Sequence, residues 1–140
     1  MKLAFYKAKG DWKDKLIRLW TKGPYSHVEI IDEDGYMYSS SPRDKGVRKK
    51  AHEFNPDKWD YVEVEINPGL LKNFFEETKG EHYDLAGILG FVIPVKDRTN
   101  RWFCSEWCSN VLKISGHKAM WKQEPSKISP NRLYKLLKNF

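Results

Sequence analysis

The acidic segment at residues 32–35 is the strongest constraint that the sequence places on the fold. Asp32-Glu33-Asp34-Gly35 separates one strand-like run at residues 25–31 from another at residues 36–40. A short Asp/Gly segment between two such runs is typical of a β-hairpin. Strands joined in this way are antiparallel, so the sequence predicts an antiparallel sheet.

Further strands and helices are predicted on both sides of this hairpin. Strands are expected at residues 3–7 and 59–66, and residues 41–50 are expected to form a charged loop that leads into another strand. Helices are expected after Asp11, from Asn67-Pro68 to Gly80, at residues 83–90 and 104–114, and from Ser129-Pro130 onward. This order predicts a single α+β domain over residues 1–140.

Composition excludes several classes of protein. The chain has no apolar run near the roughly 20 residues that span a bilayer, and no secretory signal is recognisable. Its two cysteines are expected to be free thiols in a reducing compartment. The net charge of +6 weakly favours acidic partners, but no motif for specific nucleic-acid recognition is present. No spacing typical of a metal or cofactor site occurs, so none is expected.

Cys104 is the first candidate for chemistry. It stands in the first turn of the predicted helix at residues 104–114, where backbone N–H groups lack partners and the helix dipole is positive. Such surroundings favour a thiolate, and the same N–H groups can hold an oxyanion. The alternative is that Cys104 is a small core residue, which is our interpretation of Cys108 one turn later.

His27 is the candidate base, because a histidine far from a cysteine in sequence can meet it in the fold. It lies in the predicted strand at residues 25–31, on the face shared with Glu29 and Ile31. A purely structural histidine is the alternative. Glu29 is interpreted as a solvated side chain rather than as a neighbour that tunes the histidine.

A base histidine needs a third group that fixes its orientation. If Ile31 pairs with Tyr36 across the turn, Ser40 lies opposite His27, and a small shift in register brings Ser39 there instead. Both serines are equally consistent with a polar strand end. Tyr83 is a candidate donor to an oxyanion, although most tyrosines of this chain are expected to pack.

Several motifs together resemble a known family. They occur in the order Ser26-His27-Val28-Glu29-Ile30, Asp34-Gly35, Ser39-Ser40-Ser41-Pro42, Tyr83-Asp84-x-x-Gly87 and Phe103-Cys104-Ser105-Glu106. The set is similar to the circularly permuted branch of the NlpC-like papain-fold superfamily, which includes YiiX-like proteins and the lecithin:retinol acyltransferase group. The opening segment and residues 55–60 also resemble small proteins encoded by tailed bacteriophages and prophages.

The resemblance implies a papain-like fold in permuted order, with the cysteine helix packed against an antiparallel sheet. It implies that Cys104 is the nucleophile, His27 the base and Tyr83 an oxyanion donor. The third polar residue corresponds to Ser39, where many relatives carry His, Asn, Gln or Glu. The implied activity is a cysteine hydrolase that cleaves an amide bond, above all in peptidoglycan peptides.

Two alternatives to this activity stay open. One is an acyltransferase or a lipid-ester or amide hydrolase of the same fold, with an acyl groove lined by Trp102, Trp107 and Phe91. The other is a non-catalytic binding or virion-associated module, which a serine in the orienting position favours. The expected location is the cytoplasm or a virion in a bacterial or phage context, and the oligomeric state is left open.

Overall fold

Five antiparallel strands form the central sheet of the structure, a computed structural model that describes residues 1–10, 15, 17–19, 22–83 and 101–140. The strands are β1 (Lys2–Tyr6), β2 (His27–Ile31), β3 (Tyr36–Ser41), β4 (Gly46–Ala51) and β5 (Trp59–Glu63). Their order across the sheet is β4-β3-β2-β1-β5, so β2 is central. The predicted antiparallel sheet is therefore confirmed.

The predicted hairpin connects β2 to β3. The Asp32 carboxylate accepts hydrogen bonds from the backbone N–H groups of Asp34 and Tyr36, both at 2.9 Å, and Gly35 takes a φ of +84°. These are the local contacts that make Asp and Gly favourable in turns. The register differs from the expected one, because Ile31 pairs with Met37 rather than with Tyr36.

The prediction of a charged loop at residues 41–50 is wrong for residues 46–50, which belong to a strand. Strand β4 begins at Gly46 and pairs with β3 along the whole of β3. Charged side chains are compatible with an edge strand, where they discourage pairing with other chains. Gly46 is required at this point, because a Cβ there would lie 1.9 Å from the Glu81 carbonyl oxygen.

Three α-helices have defined bounds in the described part of the chain: α1 (Pro68–Thr78), α2 (Cys104–Ile114) and α3 (Pro130–Lys138). The predicted cap Asn67 is confirmed, the predicted start of a helix at Ser129-Pro130 is confirmed, and the predicted cap Asp11 lies outside the described residues. Asn67 accepts from the N–H groups of Gly69 and Leu70, and Ser129 accepts from that of Arg132. Such caps satisfy backbone donors that a helix start leaves unpaired.

Two other predicted helices fall largely outside the described residues. Residues 15 and 17–19, within the helix expected after Asp11, are helical. The helix expected at residues 83–90 is wrong at Tyr83, which belongs to the short strand β6 (His82–Tyr83). That strand pairs in parallel with β7 (Arg101–Trp102), which leads directly into α2. Residues 84–90 lie outside the described residues.

Helix α2 forms the centre of the core and packs against β2 and β3. Trp107 is fully buried, and its indole N–H donates to Thr78 Oγ1 of α1 at 2.8 Å. Asn131 of α3 hydrogen-bonds both the N–H and the C=O of Tyr25, just before β2. These contacts tie α2 to α1 and fix the segment before β2 against α3. In the described ranges, no helix has the length and apolar character needed to cross a membrane.

Candidate active site

The site lies where the ladder between β2 and β3 ends. Within residues 22–83, these strands pair at Ile30–Tyr38 and Ile31–Met37, and the pairing does not continue to the His27 end. Helix α2 fills this opening. The Cys108 thiol faces the carbonyl oxygen of Val28 at 3.7 Å and lies 3.9 Å from Ser39 Oγ. Cys108 is therefore a core residue that closes the gap between the two strands, as its interpretation from the sequence required.

Cys104 lies one turn before Cys108, at the first position of α2, and is 2 % exposed. The preceding residue, Phe103, supplies no side-chain cap to the helix. The first N–H groups of a helix have no partners within it, so this end can hold a negative charge. The structure thus places a thiol at an uncapped helix start.

His27 begins β2, and the Cys104 thiol is near enough to raise the pKa of its ring. Its side chain is 13 % exposed, and its pairing partner on β1 is Tyr6. The two candidate residues, which are 77 positions apart in sequence, are therefore brought close together.

Glu29, not a serine, is the third member of this group. His27 Nε2 lies 2.5 Å from Glu29 Oε1, and the Glu29 side chain is only 1 % exposed. The interpretation of Glu29 as a solvated side chain is wrong. It lies on the central strand, where β1 and β3 flank it, and alternation along β2 points it to the same face as His27.

Arg48 of β4 clamps the Glu29 carboxylate from the other side. Its two terminal nitrogens donate to Glu29 Oε2 at 2.8 Å and to Oε1 at 2.5 Å, and its Nε donates to Asp44 at 2.8 Å. Lys50 also donates to Asp44, at 2.6 Å. A bidentate arginine fixes both position and plane of a carboxylate. A hydrogen-bonded chain therefore runs from His27 through Glu29 to Arg48 and Asp44, with Cys104 near its His27 end.

These contacts change the ionisation of the group. Burial favours a neutral imidazole, but the negative charges of Glu29 and Cys104, with their hydrogen bonds, raise the pKa of His27 to about 10. Burial also favours a neutral carboxylic acid, but His27 and Arg48 lower the pKa of Glu29 to about 2. At neutral pH the pair is an imidazolium held by a carboxylate.

Cys108 differs from Cys104 in its surroundings. Burial raises the pKa of the Cys108 thiol well above its ordinary value, and the charges of Cys104 and Glu29 raise it further. A thiol in such surroundings stays protonated and is inert.

The two serines proposed to orient the histidine are close by but do not bond to it. Ser39 Oγ contacts Ser40 O at 3.4 Å and the Cys108 thiol, and it has no hydrogen bond to His27. Ser40 Oγ is buried without a hydrogen-bond partner in the described part of the chain. The expected role fails because the register between β2 and β3 differs and because Glu29 already occupies Nε2.

Tyr83 and the proposed groove residues lie around the start of α2. The ring of Tyr83 packs edge-on against Phe103, with centroids 6.0 Å apart, one residue before Cys104. Trp107 is fully buried in the core, so it does not line an open groove. Trp102 donates to Glu81, and Phe91 lies outside the described residues.

The remaining histidines are separate from this group. His52 contacts Tyr61 Oη at 2.8 Å, His82 is exposed, and His117 accepts from the Ala119 N–H at the turn after α2. Over residues 1–10, 15, 17–19, 22–83 and 101–140, no cluster of three or more His, Cys, Asp or Glu side chains is arranged to hold a metal ion.

Comparison with known proteins finds no matching family model, no similar curated protein and no similar solved structure. The site must therefore be interpreted from its own geometry.

Proposed function

We propose that the chain is a cysteine hydrolase in which Cys104 is the nucleophile, His27 the base and Glu29 the carboxylate that orients the base. The observation that carries this proposal is the position of His27, which bonds the buried Glu29 carboxylate and lies near the Cys104 thiol. A nucleophile, a base and an orienting group in this sequence of contacts are the parts that covalent acyl transfer requires.

The position of Glu29 determines which nitrogen of the His27 ring can exchange a proton with the thiol. Glu29 holds His27 at Nε2, so Nδ1 is the nitrogen that exchanges a proton with the thiol. The thiolate attacks the substrate carbonyl carbon, and the carbonyl oxygen becomes an oxyanion beside the N–H groups that begin α2. The imidazolium then protonates the leaving amine as the carbon–nitrogen bond breaks. His27 next takes a proton from water, whose oxygen displaces the thiolate and releases the acid.

A papain-like fold in circularly permuted order is part of the proposal. It is supported by an antiparallel sheet, by a cysteine at the start of a helix packed on that sheet, and by a histidine strand that precedes this helix in the chain. The resemblance of the sequence motifs points the same way.

The proposed substrate is an amide bond in a peptidoglycan peptide, in a bacterial or phage context. The net charge of +6 suits an anionic cell wall, and the motif resemblance includes phage proteins. Burial of Trp107 argues against an acyl groove built on that residue. The argument for a non-catalytic module was a serine in the orienting position, and Glu29 removes it.

The first experiment traps the acyl-enzyme. The protein is mixed with p-nitrophenyl acetate and its mass is followed, together with Cys104→Ala and, as a matched control, Cys108→Ala. We expect one acetyl group on Cys104 in the wild type and in Cys108→Ala, and none in Cys104→Ala. Incubation with purified peptidoglycan then tests the substrate through the release of peptides with new amino termini. Acetylation that persists in Cys104→Ala would contradict the assigned nucleophile.

A further inference from the structure

A pocket of about 150 Å³ is lined by His27 and Glu29 of β2. Tyr6 and Trp59 form an aromatic wall, with ring centroids 4.9 Å apart. Arg43, in the connection between β3 and β4, and Lys50 of β4 also line the pocket, and the Arg43 guanidinium lies over the Tyr6 ring at 5.7 Å. His27 itself lines the pocket, so an occupant would lie next to the proposed base.

The charged groups of the lining favour an anion. Three basic side chains line the pocket, Arg43, Arg48 and Lys50, in addition to His27. The two carboxylates of the lining, Glu29 and Asp44, are both hydrogen-bonded by Arg48. The lining thus carries more positive than negative charge, and its carboxylates are already paired.

Ser26 provides a second, independent observation. It lines the same pocket, is 1 % exposed, and its Oγ has no hydrogen-bond partner among the described residues. Its backbone is fixed, because its N–H donates to the Tyr6 carbonyl at 3.1 Å. A buried hydroxyl without a partner costs free energy, which an acceptor group in the pocket would recover.

We propose that this pocket is a subsite for an oxyanion group of the substrate, a carboxylate or a phosphate, located next to the proposed base His27. The Ser26 hydroxyl donates to this group, and the Arg43 guanidinium pairs with its charge. The Tyr6–Trp59 wall limits the group to a small one. The substrate role rests on the proposed function, whereas the anion binding itself does not.

The test is a titration with acetate and with inorganic phosphate at constant ionic strength, followed through the NMR signal of the His27 ring. The chain has four histidines, so a His27→Ala spectrum identifies the signal. We expect a saturable shift in the wild type. Arg43→Gln should weaken binding roughly tenfold and Ser26→Ala roughly fivefold, since each removes one direct contact. Lys122→Gln, an exposed cation elsewhere, should leave binding unchanged.

Comparison of acetate with phosphate distinguishes a substrate carboxylate from a substrate phosphoryl group. Tighter binding of acetate assigns a substrate carboxylate, and tighter binding of phosphate assigns a phosphoryl group. A shift that does not saturate, or that is the same in Arg43→Gln and Ser26→Ala, overturns the subsite. Folding of Ser26→Ala is checked by its NMR spectrum, and Arg43 is exposed, so at least one variant stays informative.

Alkylation of Cys104 by neutral iodoacetamide shows whether a failure belongs to the anion subsite or to the proposed hydrolase mechanism. Anion at a concentration that half-saturates the wild type should slow alkylation of the wild type more than that of Arg43→Gln. Anion binding without any reactivity of Cys104 would leave the subsite in place and contradict the hydrolase. A reactive Cys104 with no anion binding would do the reverse.

Discussion

Replacement of Glu29 by glutamine keeps the shape of the side chain and removes the negative charge beside His27. The carboxylate oxygen lies 2.5 Å from His27 Nε2. At an effective dielectric constant of about 20, two unit charges about 4 Å apart attract each other by ~4 kcal/mol. Since one pKa unit corresponds to about 1.4 kcal/mol, this attraction is worth ~3 units. We therefore expect Glu29→Gln to lower the pKa of His27 by ~3 units, from about 10 in the wild type.

The assay is an NMR titration of the His27 ring from acid to alkaline pH in the two proteins. Glu63→Gln is the matched control, because Glu63 is a carboxylate of β5, which β1 separates from β2, and its side chain is 76 % exposed. This variant should leave the His27 titration unchanged. A wild-type His27 that titrates near 6.5, or one whose titration is the same in Glu29→Gln, would refute the reasoning.

Three further outcomes follow from the same contacts. Arg48→Gln should lower the free energy of unfolding by about 3 kcal/mol, measured in urea, because it breaks a buried ion pair. Stability from the His27–Glu29 pair should be greatest between pH 4.5 and 6.5. Because the His27 pKa is raised, the stability that His27 contributes is complete below pH 6.5 and is lost as the pH rises through about 10. Because the Glu29 pKa is lowered, the stability that Glu29 contributes is complete above pH 4.5 and is lost as the pH falls through about 2. The difference in unfolding free energy between wild type and Glu29→Gln should follow this window, and a difference independent of pH would contradict it. Cys108 should react with iodoacetamide only in urea, as mass spectrometry of the digested protein would show, since it is fully buried; its alkylation in the native protein would be evidence against a closed core at this point.

The parts of the fold that follow from local chemistry could be predicted from the sequence. Asp32 and Gly35 make the hairpin turn through contacts within five residues, and Asn67 and Ser129 cap helices through their own side chains. Helix α2 has the predicted bounds, and the glycine that follows it, Gly116, takes a φ of +77°. Such signals depend on near neighbours in the chain, so the sequence carries them directly.

Glu29 was not predicted as a site residue because strand β4, which carries its partner Arg48, was not predicted from the sequence. Strand β4 is an edge strand with charged side chains and no clear hydrophobic alternation, so its residues resemble a loop. Without β4 there is no Arg48 beside Glu29, and a glutamate without a partner is expected in solvent. The one available signal was that Glu29 follows His27 by two positions, on the same face of a strand. The serines were favoured instead because the register was placed one residue away from the observed one.

The central claim is that Cys104 and His27 form a working nucleophile and base. The most direct test is the rate of Cys104 alkylation by iodoacetamide from pH 4 to 9, measured in the wild type and in His27→Ala. We expect alkylation at acid pH to be faster in the wild type than in His27→Ala, because a neighbouring imidazolium favours the thiolate. A wild-type rate that rises only near pH 8.5, as for a free thiol, and is unchanged in His27→Ala would contradict the claim.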